Sequence, residues 1–147
     1  MKVLIQRVKE ASVKVDGKLV SSINRGLLVF LGVSNTDTDK EAREIAKKVS
    51  SLRIFEDENG KMNLSLRDIN GEILSISQFT LYADTSRGRR PGFEKAAPKE
   101  IAIGLWNRFN QYLKSDGFVV KEGIFGEHME VFLINDGPVT IILEEGQ

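Results

Sequence analysis

The sequence contains no cysteine and one histidine, His128. Without cysteine the chain cannot form disulfides, thiolate metal ligands or a cysteine nucleophile. One histidine cannot build a zinc site of the usual kind, and a serine–histidine–aspartate triad could use only His128. This residue precedes an apolar run and is typical of an ordinary residue at a strand edge. We therefore predict no metal and no cofactor.

Excess charge and long apolar runs are also missing. The 21 basic and 21 acidic side chains give a formal net charge of zero. Proteins that coat nucleic acids are normally strongly basic. In this chain any RNA contact should therefore be local or confined to a pocket for one end of the RNA. No apolar run approaches the roughly 20 residues of a membrane span, and the first residues alternate too strongly for a signal peptide. We expect a cytoplasmic protein with no membrane contact.

The pattern of apolar residues predicts an α/β fold in one domain, residues 1–147. Strands are expected at residues 2–8, 12–16, 18–23, 26–33, 72–83, 118–125, 129–135 and 139–143. One helix should begin after Thr38, which forms a capping-box pattern with Glu41, and another near Pro98, with Ile101, Leu105 and Phe109 on its inner stripe. The expected architecture has three layers, β/β/α: two mixed or antiparallel sheets form a barrel-like core, and two main helices cover one face.

Residues 135–140, Asn-Asp-Gly-Pro-Val-Thr, separate two apolar runs. Pro138 has no backbone N–H to donate and Gly137 permits unusual backbone conformations. A hairpin turn is one interpretation, since Asp-Gly is a strong turn dipeptide. The other is a rigid backbone device whose exposed carbonyls contact a ligand.

Residues 77–81, Ser-Gln-Phe-Thr-Leu, end a strongly apolar run. As a plain strand end, Phe79 and Leu81 would fill the core. That interpretation leaves Ser77, Gln78 and Thr80 unexplained, because polar groups near a core need partners. With no standard catalytic side chains available, hydroxyls, amides and backbone dipoles suit a substrate that is already activated, such as an amino-acid ester.

Taken together, the two motifs resemble those of the D-aminoacyl-tRNA deacylases. The resemblance extends over the whole chain through six more segments, at residues 4–8, 11–13, 53–55, 60–64, 87–88 and 90–91. It implies hydrolysis of the ester between a D-amino acid, or glycine, and tRNA, with L-aminoacyl-tRNA rejected. It also implies a homodimer whose Gly-Pro bond is cis and reaches into the partner's site.

The resemblance also implies roles for individual residues. Gly137 and Pro138 would present backbone carbonyls to the substrate's α-amino group, and Arg7 would orient them. The catalytic floor would consist of Ser77, Gln78, Phe79 and Thr80. Thr80 could act as a nucleophile or, as we favour, as a hydrogen-bonding residue while the ribose 2′-hydroxyl assists. Ala102 and Met129 match positions that line the family's pocket.

A polar loop at residues 84–92 carries Arg87, Arg89 and Arg90, which could meet phosphates of the tRNA acceptor end. A solvated loop is the simpler alternative for each of them. Two other functions stay open at this point. A non-catalytic RNA-binding module would depend on the arginines and not on Gly137 or Thr80. A plain dimeric scaffold would tolerate apolar residues at Gln78 and Thr80.

Overall fold

The computed structural model describes residues 1–146. They form eight strands, two α-helices and one short 3-10 helix. The strands are β1 Lys2–Val15, β2 Lys18–Ile23, β3 Gly26–Gly32, β4 Phe55–Glu56, β5 Met62–Leu64, β6 Glu72–Ser77, β7 Val120–Glu122 and β8 Glu130–Glu144. The helices are α1 Asp39–Ser51, the 3-10 helix Phe79–Tyr82 and α2 Lys99–Ser115.

Strand β1 organises the main sheet. Along one edge it pairs antiparallel with β3 through residues 2–8 and with β2 through residues 11–15. Along its other edge it pairs antiparallel with β8. The sheet continues from β3 to β6 and from β6 to β7 in parallel, while β4 and β5 form a separate antiparallel pair. The sheet is therefore mixed, and β1 pairs with three other strands.

The sheet has an apolar core on each face. Leu27 and Ile73 point into the core beneath the helices, whereas Leu28 and Leu74 point into a second core on the opposite face. Strands buried on both faces read as continuous apolar runs, which is the pattern of residues 26–33. The predicted α/β class, with two sheets, a barrel-like core and two main helices, is confirmed.

Helix α1 begins as the sequence predicts. Thr38 is its N-cap, and the Thr38 backbone N–H donates to Glu41 Oε2 at 2.7 Å to complete the capping box. Pro98 caps α2, but its predicted inner stripe is partly wrong because Ile101 is 49% exposed. Phe109 is buried as predicted, together with Ala102 and Trp106. Of the helices in residues 1–146, none combines the length and apolar character needed to cross a membrane.

The predicted strand at residues 72–83 is too long. β6 ends at Ser77 and the 3-10 helix follows at once. The Gln78 backbone N–H makes a last bond to Leu31 O at 2.8 Å, after which Leu81 N–H turns back to Gln78 O at 3.3 Å. A Cβ on Gly32 would lie 3.0 Å from Leu81 Cβ, so the bare backbone of Gly32 leaves room for this turn.

The hairpin interpretation of residues 135–140 is wrong, because β8 is one strand of 15 residues. Gln6 pairs with Thr140 and Val8 pairs with Asn135, so residues 136–139 lie opposite Arg7 alone. The Gly-Pro motif is therefore a bulge in β8. The two strands predicted at residues 2–8 and 12–16 are also one strand, β1, which ends at Val15, so that Asp16 lies in the turn that follows.

Candidate active site

Arg7 holds the bulge from inside the protein. Its side chain is buried, and its Nε donates to Asp136 O at 2.8 Å while Nη1 donates to Ile54 O at 2.8 Å. Carboxylates of Asp136 and Glu56 lie 3.8 Å from the guanidinium. A planar guanidinium can satisfy carbonyls in different directions at once, so Arg7 ties the bulge to the segment before β4.

Asn135 closes the bulge from within. Its Oδ1 accepts from Val139 N–H at 2.7 Å, and its Nδ2 donates to Thr140 Oγ1 at 3.0 Å. The side chain thus replaces the pairing that Pro138 interrupts. Sequence reasoning gave Asn135 no role, although a turn-forming asparagine three residues before a proline was a usable signal.

Gly137 and Pro138 lie at the exposed crest of the bulge, and the peptide bond between them is cis. Gly137 has φ +145°, a backbone conformation that other residues rarely adopt. A Cβ there would lie 2.8 Å from Val139 Cγ2 and 2.9 Å from Val139 N. Only glycine fits without moving Val139.

The second motif forms the turn after β6. Gln78 Nε2 donates to Thr80 Oγ1 at 2.5 Å, which fixes the threonine hydroxyl. The Phe79 ring is 54% exposed and packs edge-on against Phe93, with 4.8 Å between ring centroids. Among residues 1–146, no acceptor is bonded to the backbone N–H of Phe79 or Thr80. These two donors remain available to a ligand.

Two cavities open beside this turn. The first, about 270 Å³, is lined by Ser77, Gln78 and Phe79 on one side and by Met129 and His128 on the other. It therefore brings Met129 to the motif at residues 77–81. It also brings His128, which sequence reasoning had set aside and which only the path of the chain between β7 and β8 could place here.

The second cavity, also about 270 Å³, has an apolar lining made by Leu4, Phe30, Gln78, Thr80 and Leu81. Leu4 and Phe30 are paired on adjacent strands. Gln78 lines both cavities, so the turn at residues 78–81 separates them.

Within one chain the two motifs do not meet. Ser77 lies opposite Leu31, which lies opposite Val3, whereas the bulge lies beside Arg7. Four residues of strand correspond to about 13 Å. Ala102 is also apart from both cavities, buried in the core beneath the helices.

The three loop arginines are exposed. Arg87, Arg89 and Arg90 lie in a loop that is closed by reciprocal backbone bonds between Asp84 and Gly92, both of 2.8 Å. The loop begins just after the 3-10 helix, so its positive charge follows the motif at residues 77–81 closely along the chain.

Tyr82 is the last residue of the 3-10 helix and anchors its C-terminal end. Its ring is buried, and this burial, together with the carboxylates of Asp37 and Glu144, raises the pKa of the phenol well above its usual value. The hydroxyl therefore stays protonated at neutral pH and does not supply a base to the site.

The chain is similar to known proteins over nearly its whole length. A relative named D-aminoacyl-tRNA deacylase, from Dictyoglomus turgidum, is 57% identical to this chain, and the match covers 98% of this chain and 92% of the relative. A relative of the same name from Geotalea daltonii is 58% identical, and the match covers 98% of this chain and 96% of the relative. A solved structure titled "c-Myc DNA Unwinding Element Binding Protein" is 44% identical, with TM-score 0.95 and all of both chains covered.

A second solved structure, of a probable eukaryotic D-amino acid tRNA deacylase, shares the fold at 20% identity, with TM-score 0.83 and 97% of both chains covered. The sequence model of one family, described as D-Tyr-tRNA(Tyr) deacylase, matches residues 4–144. The chain belongs to the D-Tyr-tRNA(Tyr) deacylase family.

Proposed function

We propose that this chain is a hydrolase that cleaves the ester between a D-amino acid and the terminal ribose of tRNA, releasing both. The names of its full-length relatives support this activity. The observation that carries the proposal is the exposed Gly137–Pro138 backbone, which Arg7 and Asn135 fix from below. A backbone held so firmly suits selection by shape.

Chiral selection follows from that rigidity. The carbonyls of Gly137 and Pro138 accept hydrogen bonds from the substrate's α-ammonium group. With the ammonium fixed, a D side chain points into open space and an L side chain collides with main chain. Rejecting the L substrate by about 1,000-fold needs about 4 kcal/mol, which a clash against a stiff backbone can supply. Glycine has no side chain to collide, so glycyl-tRNA is also a substrate.

The chemistry relies on the backbone of the 3-10 helix. The Phe79 and Thr80 N–H groups bind the oxyanion that forms when water attacks the ester carbonyl. Ser77 and Gln78 complete the floor, and Gln78 orients the Thr80 hydroxyl. The ribose 2′-hydroxyl of the substrate assists the attacking water. Met129 acts from the cavity wall, whereas Ala102 lies in the core beneath the helices and does not contact the substrate.

The site is completed by a second copy of the chain. The apolar cavity beside Thr80 is a suitable seat for Pro138 of the partner subunit. On β1, Leu4 lines this cavity and Arg7 lies beside the bulge. A two-fold axis passing near Gln6, between these residues, would therefore place the bulge of each subunit at the cavity of the other. Gln6 and Thr140, which are hydrogen-bonded at 3.3 Å, would then lie at the axis.

The acceptor end of tRNA reaches the site past the arginine loop. Arg87, Arg89 and Arg90 contact its phosphates, so binding should weaken as salt rises. A chain of zero net charge needs such a local patch to hold RNA. The activity belongs in the cytoplasm, where tRNA is charged with amino acids.

The activity test compares three substrates. D-aminoacyl-tRNA and glycyl-tRNA should be hydrolysed, and L-aminoacyl-tRNA should react about 1,000-fold more slowly. Equal hydrolysis of the D and L esters would refute the proposal. RNA binding that survives Gly137→Ala and Thr80→Ala but disappears when Arg87, Arg89 and Arg90 are replaced, without any hydrolysis, would indicate a non-catalytic RNA-binding module instead.

A complementation test addresses the shared site. A Thr80→Pro variant, which lacks the backbone N–H proposed to bind the oxyanion, and a Gly137→Ala variant, each expected to be nearly inactive alone, are unfolded together and refolded. If each site takes Thr80 from one chain and Gly137 from the other, half of the dimers are mixed and each has one intact site. Activity should then return to about a quarter of that of the wild type. No recovery in a mixture that forms dimers would mean that one chain supplies both motifs.

A further inference from the structure

Lys2 contacts the catalytic turn from the first strand. It lies on the same face of β1 as Leu4 and Gln6, which is the face that carries the apolar cavity. Its Nζ donates to Leu81 O at 3.3 Å and lies 4.9 Å from the centre of the Tyr82 ring. One ammonium group therefore contacts two adjacent residues of the 3-10 helix.

Apart from the buried Tyr82 ring, the turn has few other restraints at this end. Backbone bonds hold Leu81 to Gln78 and Ala83 to Thr80, at 3.3 and 3.1 Å. Among residues 1–146, Lys2 is the one donor found for the Leu81 carbonyl. Short 3-10 helices have poor hydrogen-bond geometry, so an external contact has a large effect on how firmly they are held.

We propose that Lys2 is a positioning residue that holds the 3-10 helix Phe79–Tyr82 against β1 and so fixes the N–H groups of Phe79 and Thr80. This inference rests on the proposed function, which gives those N–H groups their role. Lys2 acts through Leu81 and Tyr82 and does not touch the ester.

The position of Lys2 allows its effect on the 3-10 helix to be distinguished from an effect on the stability of the whole fold. The side chain is half-buried on the outer face of β1, while Val3 and Ile5 supply the core contacts of the strand. Removing the ammonium should therefore loosen the turn and leave the sheet intact. A charge-assisted hydrogen bond and a partly exposed cation–π contact together correspond to about a tenfold change in local opening.

Hydrogen exchange measures this opening directly. In Lys2→Met, which keeps an apolar stem of similar length, the Leu81 and Ala83 amides should exchange about tenfold faster. Amides of Leu28 and Ile73, in the central strands, should be unchanged and show that the fold is intact. Lys2→Arg should restore protection to within about twofold, and Lys9→Met, at an exposed lysine of the same strand, should change nothing. If Lys2→Met fails to fold, Lys2→Gln takes its place and is judged in the same way.

Kinetics decide whether the turn matters for catalysis. Lys2→Met should lower kcat on D-aminoacyl-tRNA about three- to tenfold with little change in KM, and Lys2→Arg should restore it. Unchanged exchange at Leu81 and Ala83, or faster exchange with unchanged kcat, would overturn the inference. If the wild-type chain hydrolyses no D-aminoacyl-tRNA, the proposed function fails, and the exchange data alone decide whether Lys2 holds the turn.

Discussion

Arg7 Nε donates to the backbone carbonyl of Asp136 at 2.8 Å, across 129 residues of sequence. The first strand thereby fixes the residue that precedes Gly137 and Pro138. Because the guanidinium is buried, this bond is not in competition with water and its geometry is well defined. The position of the bulge thus depends on tertiary structure as well as on the local hydrogen bonds of Asn135.

Replacing Arg7 should therefore lower both the stability of the protein and its rate of hydrolysis of the D ester. Arg7→Lys keeps the charge but cannot satisfy Asp136 O and Ile54 O together, so one buried carbonyl loses its partner. We expect a loss of about 2–3 kcal/mol in the free energy of unfolding and at least about a tenfold loss in kcat/KM for the D ester. Urea unfolding and ester hydrolysis measure the two effects.

The control for Arg7 is Arg43→Lys, the same change on the exposed face of α1. It should alter the free energy of unfolding by less than about 0.5 kcal/mol. Equal behaviour of the two variants would mean that the contacts of Arg7 contribute nothing to stability or selection.

Gly137→Ala tests the shape of the bulge. The added Cβ would lie 2.8 Å from Val139 Cγ2 in a backbone conformation with φ +145°, so the crest must move. We expect hydrolysis of the D ester to fall about 100-fold or more, because an error of about 1 Å in positioning is costly. Discrimination between D and L esters should fall as well. Single-turnover hydrolysis of both esters measures this.

Gly104→Ala is the matched change. Gly104 lies within α2, where an added Cβ meets no atom within 4 Å, and alanine favours helix. This variant should be more stable by up to about 1 kcal/mol and fully active. A Gly137 variant as active as the Gly104 variant would exclude a role for the crest in catalysis.

Local signals predicted the local structure. The Thr38–Glu41 capping box depends on neighbouring residues only, and it is present as predicted. The bulge in β8 depends on Arg7 and the end of β6 depends on the space beside Gly32, so nearby sequence alone, including the signal at Asn135, does not specify either feature. The motifs themselves were found from sequence through family resemblance. The cavity that joins Met129 and His128 to residues 77–79 could be found only from the fold.

Asp39 should make stability depend on pH. Hydrogen bonds from Arg108 and then Tyr112, both on α2, lower the pKa of the Asp39 carboxyl. The folded state therefore binds a proton less readily than the unfolded state, whose carboxyl has a pKa of about 4. The resulting stability is present above that value and is lost as pH falls through the lower pKa of the folded state.

Asp39→Asn should consequently lower the urea midpoint at pH 7, and the difference from the wild type should shrink by pH 3. Asp16→Asn, in the exposed turn between β1 and β2, is the control and should follow the wild type at both pH values. A difference for Asp39→Asn that is the same at pH 7 and pH 3 would show that the effect is not electrostatic.

Thr80→Val and Thr80→Ser distinguish two mechanisms. The Thr80 hydroxyl accepts a hydrogen bond from the Gln78 amide, and an amide cannot take up a proton as a general base. If the hydroxyl only positions water or substrate, Thr80→Val should lower kcat about three- to tenfold and Thr80→Ser should retain activity. A substrate without the ribose 2′-hydroxyl should then react about 100-fold more slowly with the wild type.

If Thr80 were the nucleophile, Thr80→Val would abolish turnover, and mass spectrometry of acid-quenched wild-type enzyme would detect an aminoacyl adduct. Because no base accompanies Thr80 in the turn, we expect modest loss and no adduct.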